Sequence, residues 1–209
     1  MITSDRGLCG AFNSNVTKAM VRHVAELRNE GFEVLISAIG KKAVDYFRRR
    51  SIPLKRSRTG ISGRISYSNA QEVAREIIED YTNEVIDEVI LVYNEFKSVI
   101  AQTITFARLL PMAPSETEGV GETAMDFIYE PSQAGIYDAL LPKNVKIQVY
   151  RALLESQASE EAARMTAMEN ATKNANEMID RLTLQYNKAR QASITKELMD
   201  IVGGVEALK

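Results

Sequence analysis

The sequence predicts an α/β fold with a mostly parallel sheet and an antiparallel edge strand, followed by one long C-terminal helix of the coiled-coil type. Three observations carry this. Two nearly continuous apolar runs, residues 33–39 and 88–96, alternate with helical patterns; a run of period two follows the second after a very short link; and neither glycine nor proline occurs between Pro142 and Gly203. The chain of 209 residues is 45% hydrophobic and 26% charged, enough apolar material for one compact domain plus an extension. The expected division is an α/β domain at residues 1–130 and a shaft helix at residues 131–209.

Met1, Ile2, Thr3 and Ser4 read as the end of a strand, since they lead directly into a turn, Asp5-Arg6-Gly7-Leu8-Cys9-Gly10, and then a helix. A domain opening on the last residues of a strand reads as truncated. Asn13 and Ser14 are good N-cap residues; Val16, Met20, Val24 and Leu27 share one face, and Gly31 ends the helix. Val34, Leu35, Ile36, Ala38 and Ile39 predict a strand covered on both faces. Gly40 turns into a second helix with Val44 and Phe47 inward, which ends before Ser51-Ile52-Pro53. This βαβα order gives a Rossmann-like sheet with right-handed crossovers.

Residues 55–58 predict a short strand. Ser68 with Gln71, or Asn69 with Glu72, makes a capping box for a helix whose inner face is Val73, Ile77, Tyr81 and Val85. After the buried run at Val89, Ile90, Leu91 and Val92, the tight Lys97-Ser98 link leads into alternating residues 99–110, an antiparallel neighbour at the sheet edge. Residues 111–123, with two prolines, two glycines and three glutamates, predict a loop. Residues 125–130 resemble a last short strand, Ser132 caps a short helix to residue 141, and Pro142 opens the long helix.

A net charge of −2 indicates no general attraction to nucleic acid or anionic lipid. One Cys and one His exclude a disulfide framework and a conventional zinc site. No apolar run approaches the ~20 residues that span a bilayer. The turn at residues 7–13 sits where a phosphate would lie in a nucleotide-binding fold, but it lacks both the P-loop Lys-Ser/Thr ending and dinucleotide Gly spacing. A structural turn that touches a partner is the better reading. His23 is too far along the next helix to activate Cys9. Arg48, Arg49, Arg50, Lys55, Arg56, Arg58 and Arg64 form a basic cluster with few interleaved aromatics, which reads as a solvated face.

Stepping four and three residues from Leu154 gives Ala158, Glu161, Met165, Met168, Thr172, Ala175, Ile179, Leu182, Tyr186, Ala189 and Ser193; nine of these twelve are apolar, the seam of a left-handed coiled coil. At ~1.5 Å per residue, about 60 residues make a rod on the order of 90 Å. The preceding ~140 residues make a globule under about 40 Å across. The distal seam therefore needs partners other than its own domain.

Two stretches, Ser4-Asp5-Arg6-Gly7-Leu8-Cys9-Gly10-Ala11-Phe12-Asn13 and Ala158-Ser159-Glu160-Glu161-Ala162-Ala163-Arg164-Met165-Thr166-Ala167-Met168, together with Tyr186-Asn187-Lys188-Ala189-Arg190-Gln191-Ala192-Ser193-Ile194-Thr195-Lys196-Glu197-Leu198, resemble the gamma subunit of bacterial-type F-type ATP synthases. The resemblance implies a central-stalk rotor, without catalytic residues, cofactor or metal of its own, that couples proton flow to ATP synthesis on the beta subunits. It implies as partners the alpha and beta subunits, the epsilon subunit and the membrane c-ring, and as location the cytoplasmic face of the bacterial inner membrane, reached through partners. By the same resemblance, Arg190, Gln191, Thr195 and Glu197 meet loops of the catalytic ring, and Arg164 lies near the acidic lever of a beta subunit. Tyr129 and Glu130 belong to the foot, and the Cys9 turn lies near the lower rim of the ring. Family members begin with a helix that winds antiparallel against the C-terminal one, and this chain is expected to start after it. A coiled-coil scaffold and a nucleotide-binding domain are the alternatives.

Overall fold

The computed structural model describes residues 1–99, 101–112 and 132–206. It contains α1 (Phe12–Asn29), β1 (Ser37–Ile39), α2 (Lys41–Arg49), β2 (Arg56–Arg58), α3 (Tyr67–Thr82), β3 (Val89–Phe96), β4 (Gln102–Leu110) and α4 (Gln133–Glu206). Packing divides the chain into two units, Met1–Thr166 and Ala167–Lys209. The expected strand at residues 125–130 lies outside the described residues, as does most of the loop before it.

In the first unit β1 pairs in parallel with β2, and β3 pairs antiparallel with β4. Residues 1–3 join the two pairs: the Ile39 N–H donates to Met1 O at 2.9 Å, the Thr3 N–H to Ile39 O at 2.8 Å, and the Ile2 N–H to Val92 O at 2.9 Å. Side chains that alternate along this sheet feed two cores. On one face Met1, Ile36, Ala38 and Val92 meet Val16, Met20 and Val24 of α1 and Val44 and Phe47 of α2. On the other, Ile2, Tyr93, Leu109 and Leu110 meet Ala70 and Ala74 of α3 and Val145, Val149, Ala152 and Leu153 of α4. The predicted α/β class and the antiparallel β3–β4 pair are as found. Packing groups residues 1–166 as one unit because residues 145–153 of α4 complete the second core.

Several local expectations are corrected. Asn13 does not cap α1; the N-cap is Ala11, without a side-chain cap, because the Asn13 carboxamide is committed to Ser4 and Cys9. The strand expected at residues 33–39 pairs only over Ser37–Ile39, and Leu35 is exposed, so that run is covered on one face at its start. The capping box of α3 is Ser66 with Asn69, two residues earlier than the nearer of the expected pairs. Val85 lies beyond the end of α3 and is exposed rather than part of the inner face. Pro142 lies inside α4, which begins at Gln133. Proline cannot donate to the carbonyl four residues back, and that carbonyl belongs to Asp138, an exposed residue.

An ion network fixes β2 to α3. Asp80 accepts from Arg56 Nη1 at 2.8 Å and Nη2 at 3.2 Å and pairs with Lys55 Nζ at 3.0 Å, while Arg58 bridges Glu72 and Glu76. Lys55, Arg56 and Arg58 of the basic cluster are thus paired within the fold, while Arg48, Arg49, Arg50 and Arg64 are exposed, as a solvated face requires. Burial pushes the Asp80 carboxyl up, but the Lys55 hydrogen bond and the charges of Arg56 and Lys55 outweigh it and hold it below the ordinary 3.8. The unfolded chain therefore binds this proton more readily than the folded one, so the contribution is complete above the ordinary value and is lost as pH falls through the lowered one. In urea melts Asp80→Asn is expected to cost about 2 kcal/mol at pH 7, with the gap to wild type narrowing below pH ~4. An unchanged gap at pH 3 contradicts the assignment.

Candidate functional site

The turn at residues 5–10 is closed from within. The Ser4 N–H donates to Asn13 Oδ1 at 3.0 Å, Asn13 Nδ2 donates to Ser4 Oγ at 2.7 Å and to Cys9 Sγ at 3.1 Å, and Ser4 Oγ lies 2.5 Å from Arg6 O. Leu8 and Gly10 take positive φ of 64° and 55°, which reverses the chain in the space of two residues. Cys9 is 2% exposed whereas Leu8 is 75% exposed. The turn therefore presents Leu8 to its surroundings, and the Cys9 thiol is an internal packing group. A thiol reagent is expected to modify Cys9 at least about 100-fold more slowly in the folded chain than in urea, since attack requires an opening of the turn. Equal rates would contradict this lock.

The crook of the turn, where a phosphate would lie, is occupied by the Asn13, Ser4 and Cys9 side chains. A cavity of about 160 Å³ lies elsewhere, bordered by Ile2, Ile39, Ile77, Val149 and the Lys55–Arg56–Asp80 ion pairs. Its charged side chains Lys55, Arg56, Arg58, Glu76 and Asp80 are paired with one another. Among the described residues no three His, Cys, Asp or Glu side chains could hold a metal ion, and no helix is long and apolar enough to cross a membrane.

Arg164 lies in the first unit. Its guanidinium donates to Glu160 one turn back, and Glu161 lies 3.7 Å away. Glu160 is 4% exposed, and its other oxygen accepts from Ser62 Oγ at 2.6 Å. The i, i+4 spacing of Glu160 and Arg164 was visible in the sequence; the role of Ser62, 98 positions away, was not.

In the second unit α4 stands without cover among the described residues: every residue from 168 to 204 is exposed. Ile179, Leu182 and Tyr186 of the seam are 58%, 53% and 66% exposed, and Leu198, Met199, Ile201 and Val202 spread apolar surface over a wide arc near the end. At 100° per residue Arg190 and Glu197 share one face and Gln191 and Thr195 another. Glu197 also accepts from Ser193 at 3.4 Å. In the first unit the apolar exposure extends upstream of Leu154 to Tyr137, Leu140, Leu141 and Ile147, beyond the seam read from sequence. Tyr129 and Glu130 lie outside the described residues.

An α/β domain whose chain continues into an uninterrupted helix with an uncovered apolar seam defines a stalk-type subunit, one that works by packing against other chains. The sequence profile of the ATP synthase family matches residues 1–208, and the whole chain aligns with the ATP synthase gamma chains of Geobacter metallireducens (47% identical, 72% of that protein) and an Anaeromyxobacter species (49%, 72%). The chain belongs to the ATP synthase gamma-chain family. Among solved structures, a chain of the Euglena gracilis mitochondrial ATP synthase, described as OSCP/F1/c-ring, matches 99% of this chain and 71% of its own at TM-score 0.70 and 25% identity. A chain of the Tetrahymena thermophila mitochondrial ATP synthase central stalk and c-ring matches 82% and 74% at TM-score 0.59 and 30% identity.

Proposed function

We propose that this chain is the central-stalk rotor of a bacterial proton-driven ATP synthase, itself without catalytic residues, bound at the cytoplasmic face of the inner membrane through its partners. The observation that carries the reading is the run of 37 consecutive exposed residues, 168–204, bearing an apolar seam at mean spacing 3.5. Left in water such a surface drives association; enclosed by other chains it becomes an axle. The distal turns with Arg190, Gln191, Thr195 and Glu197 face the alpha and beta subunits, Arg164 and the turn bearing Cys9 face the lower part of the catalytic ring, and the region of Tyr129 and Glu130 faces the epsilon subunit and c-ring. At the turn the contact is made by Leu8, and Cys9 holds the loop's shape.

The mechanism is mechanical. A helix whose faces differ, polar at Gln191 and Thr195 and apolar at Leu182 and Tyr186, presents a different surface to each of the chemically identical sites around it. A site that binds one face better is shifted toward the conformation fitting that face, and turning the helix moves this preference to the next site. Proton flow through the c-ring supplies the rotation. Expressed with alpha and beta subunits, the chain is expected to copurify as a single copy per ring. Self-pairing in sedimentation, with no association with alpha and beta, would support the coiled-coil scaffold instead.

A further inference from the structure

We infer that Glu160 is a positioning residue for Arg164, braced from behind by Ser62, and that this brace also ties Arg164 to the turn at residues 5–10. The inference rests on the reading of Arg164 as a partner contact. Glu160 is buried, and a buried carboxylate persists only where both oxygens are engaged. One oxygen takes the Arg164 guanidinium and the other the Ser62 hydroxyl at 2.6 Å. Ser62 is itself fixed, its N–H donating to Asp5 Oδ2 at 2.9 Å, and the other Asp5 oxygen accepts from the Lys41 N–H at 2.8 Å. A continuous polar chain therefore runs from the first turn of α2, through Asp5 and the loop at Ser62, to α4 and the guanidinium.

Glu161 offers Arg164 a second carboxylate, but at 3.7 Å and 60% exposed it is a weak, solvated neighbour. Glu160 alone holds the guanidinium from a fixed, water-excluded point. An arginine has many rotamers in solution; a charge-assisted bond to a buried anion selects one before any partner arrives, so less order is lost on contact. Because Asp5 begins the turn that exposes Leu8, the same chain of bonds sets the distance between two partner-facing features of the domain.

The test uses the complete synthase in vesicles and reads protons pumped per ATP hydrolysed. Glu160→Gln keeps the size and the bond from Ser62 but loses the ion pair. It is expected to lower this ratio about threefold, matching Arg164→Gln, and to add nothing in the Arg164→Gln background, the signature of two residues acting as one unit. Ser62→Ala is expected to lower it in the same direction by less. Effects of Glu160→Gln and Arg164→Gln that multiply, or a wild-type ratio in Glu160→Gln when Arg164→Gln lowers it, overturn the positioning role. A wild-type ratio in Arg164→Gln overturns the partner reading of Arg164 and this inference with it. Thermal melts of the free chain separate the alternatives further: a purely structural brace predicts loss of melting temperature in proportion to loss of coupling.

Discussion

Gly40→Ala is expected to cost the chain about 4 kcal/mol or more, at the extreme of single-substitution effects. Gly40 connects β1 to α2 with φ of 100°, and a Cβ there would stand 2.1 Å from Thr3 O and 2.6 Å from Thr3 Oγ1. Thr3 cannot yield. Its N–H donates to Ile39 O, and its hydroxyl receives the Ala43 N–H at 3.0 Å, serving α2 as a cap that Gly40 has no side chain to provide. The Gly40 N–H meanwhile donates to Arg58 O, so moving Gly40 pulls on β2 as well. Gly31→Ala is the control: φ is 94°, but nothing lies within 4 Å of the added carbon. That variant is expected to cost about 1 kcal/mol, from backbone conformation alone. Urea melts of the two variants should therefore differ widely, and equal costs would contradict the close approach of Thr3.

The second large effect belongs to the seam. Ile179→Asp with Leu182→Asp is expected to leave the melt of the first unit within about 0.5 kcal/mol of wild type, because both side chains lie in the other unit and are exposed. Assembly with alpha and beta subunits is expected to weaken at least about 100-fold, since each change forfeits ~2 kcal/mol of apolar burial and places a carboxylate where no partner charge waits. A solvated helix would show no loss of assembly. Substitution of the equally exposed Lys173 and Glu177 by Ala, off the seam, serves as comparison and is expected to change assembly by less than about threefold.

Where periodicity spans many residues, the fold was legible. The βαβα order, the antiparallel β3–β4 pair and the continuity of α4 follow from apolar runs, a run of period two and the absence of helix breakers through residues 143–202. Single-residue assignments were less so, for a physical reason: a short polar side chain has several backbone groups within reach, and tertiary neighbours decide among them. Asn13 could cap α1, yet Ser4 and Cys9, brought against it by the turn, take its carboxamide. Ser66 wins the cap of α3 from Ser68 because Asn69 can return the bond to its N–H at 2.9 Å. Pro142 suits a helix start, but the segment before it is already helical and exposed.

The site divides in the same way. The seam was written in the spacing of Met165, Met168, Ile179, Leu182 and Tyr186, all of them exposed in the fold. Cys9 was legible as part of a special turn but not as a buried group, because the motif gives the turn's residues without saying which of them point inward. Ser62 and Asp5 were not legible at all as supports of Glu160, since their bonds join segments 98 and 57 positions apart and leave no local pattern.

The central claim is that the exposed turns of α4 are the surface that other subunits enclose. It is tested most directly by placing single cysteines at Leu182, Tyr186, Ala189 and Ile201 in a Cys9→Ser background and measuring labelling rates in the free chain and in the assembled complex with alpha and beta subunits. The account predicts fast labelling at all four positions in the free chain and slowing by at least about tenfold on assembly. Labelling as fast in the complex as in the free chain would contradict it.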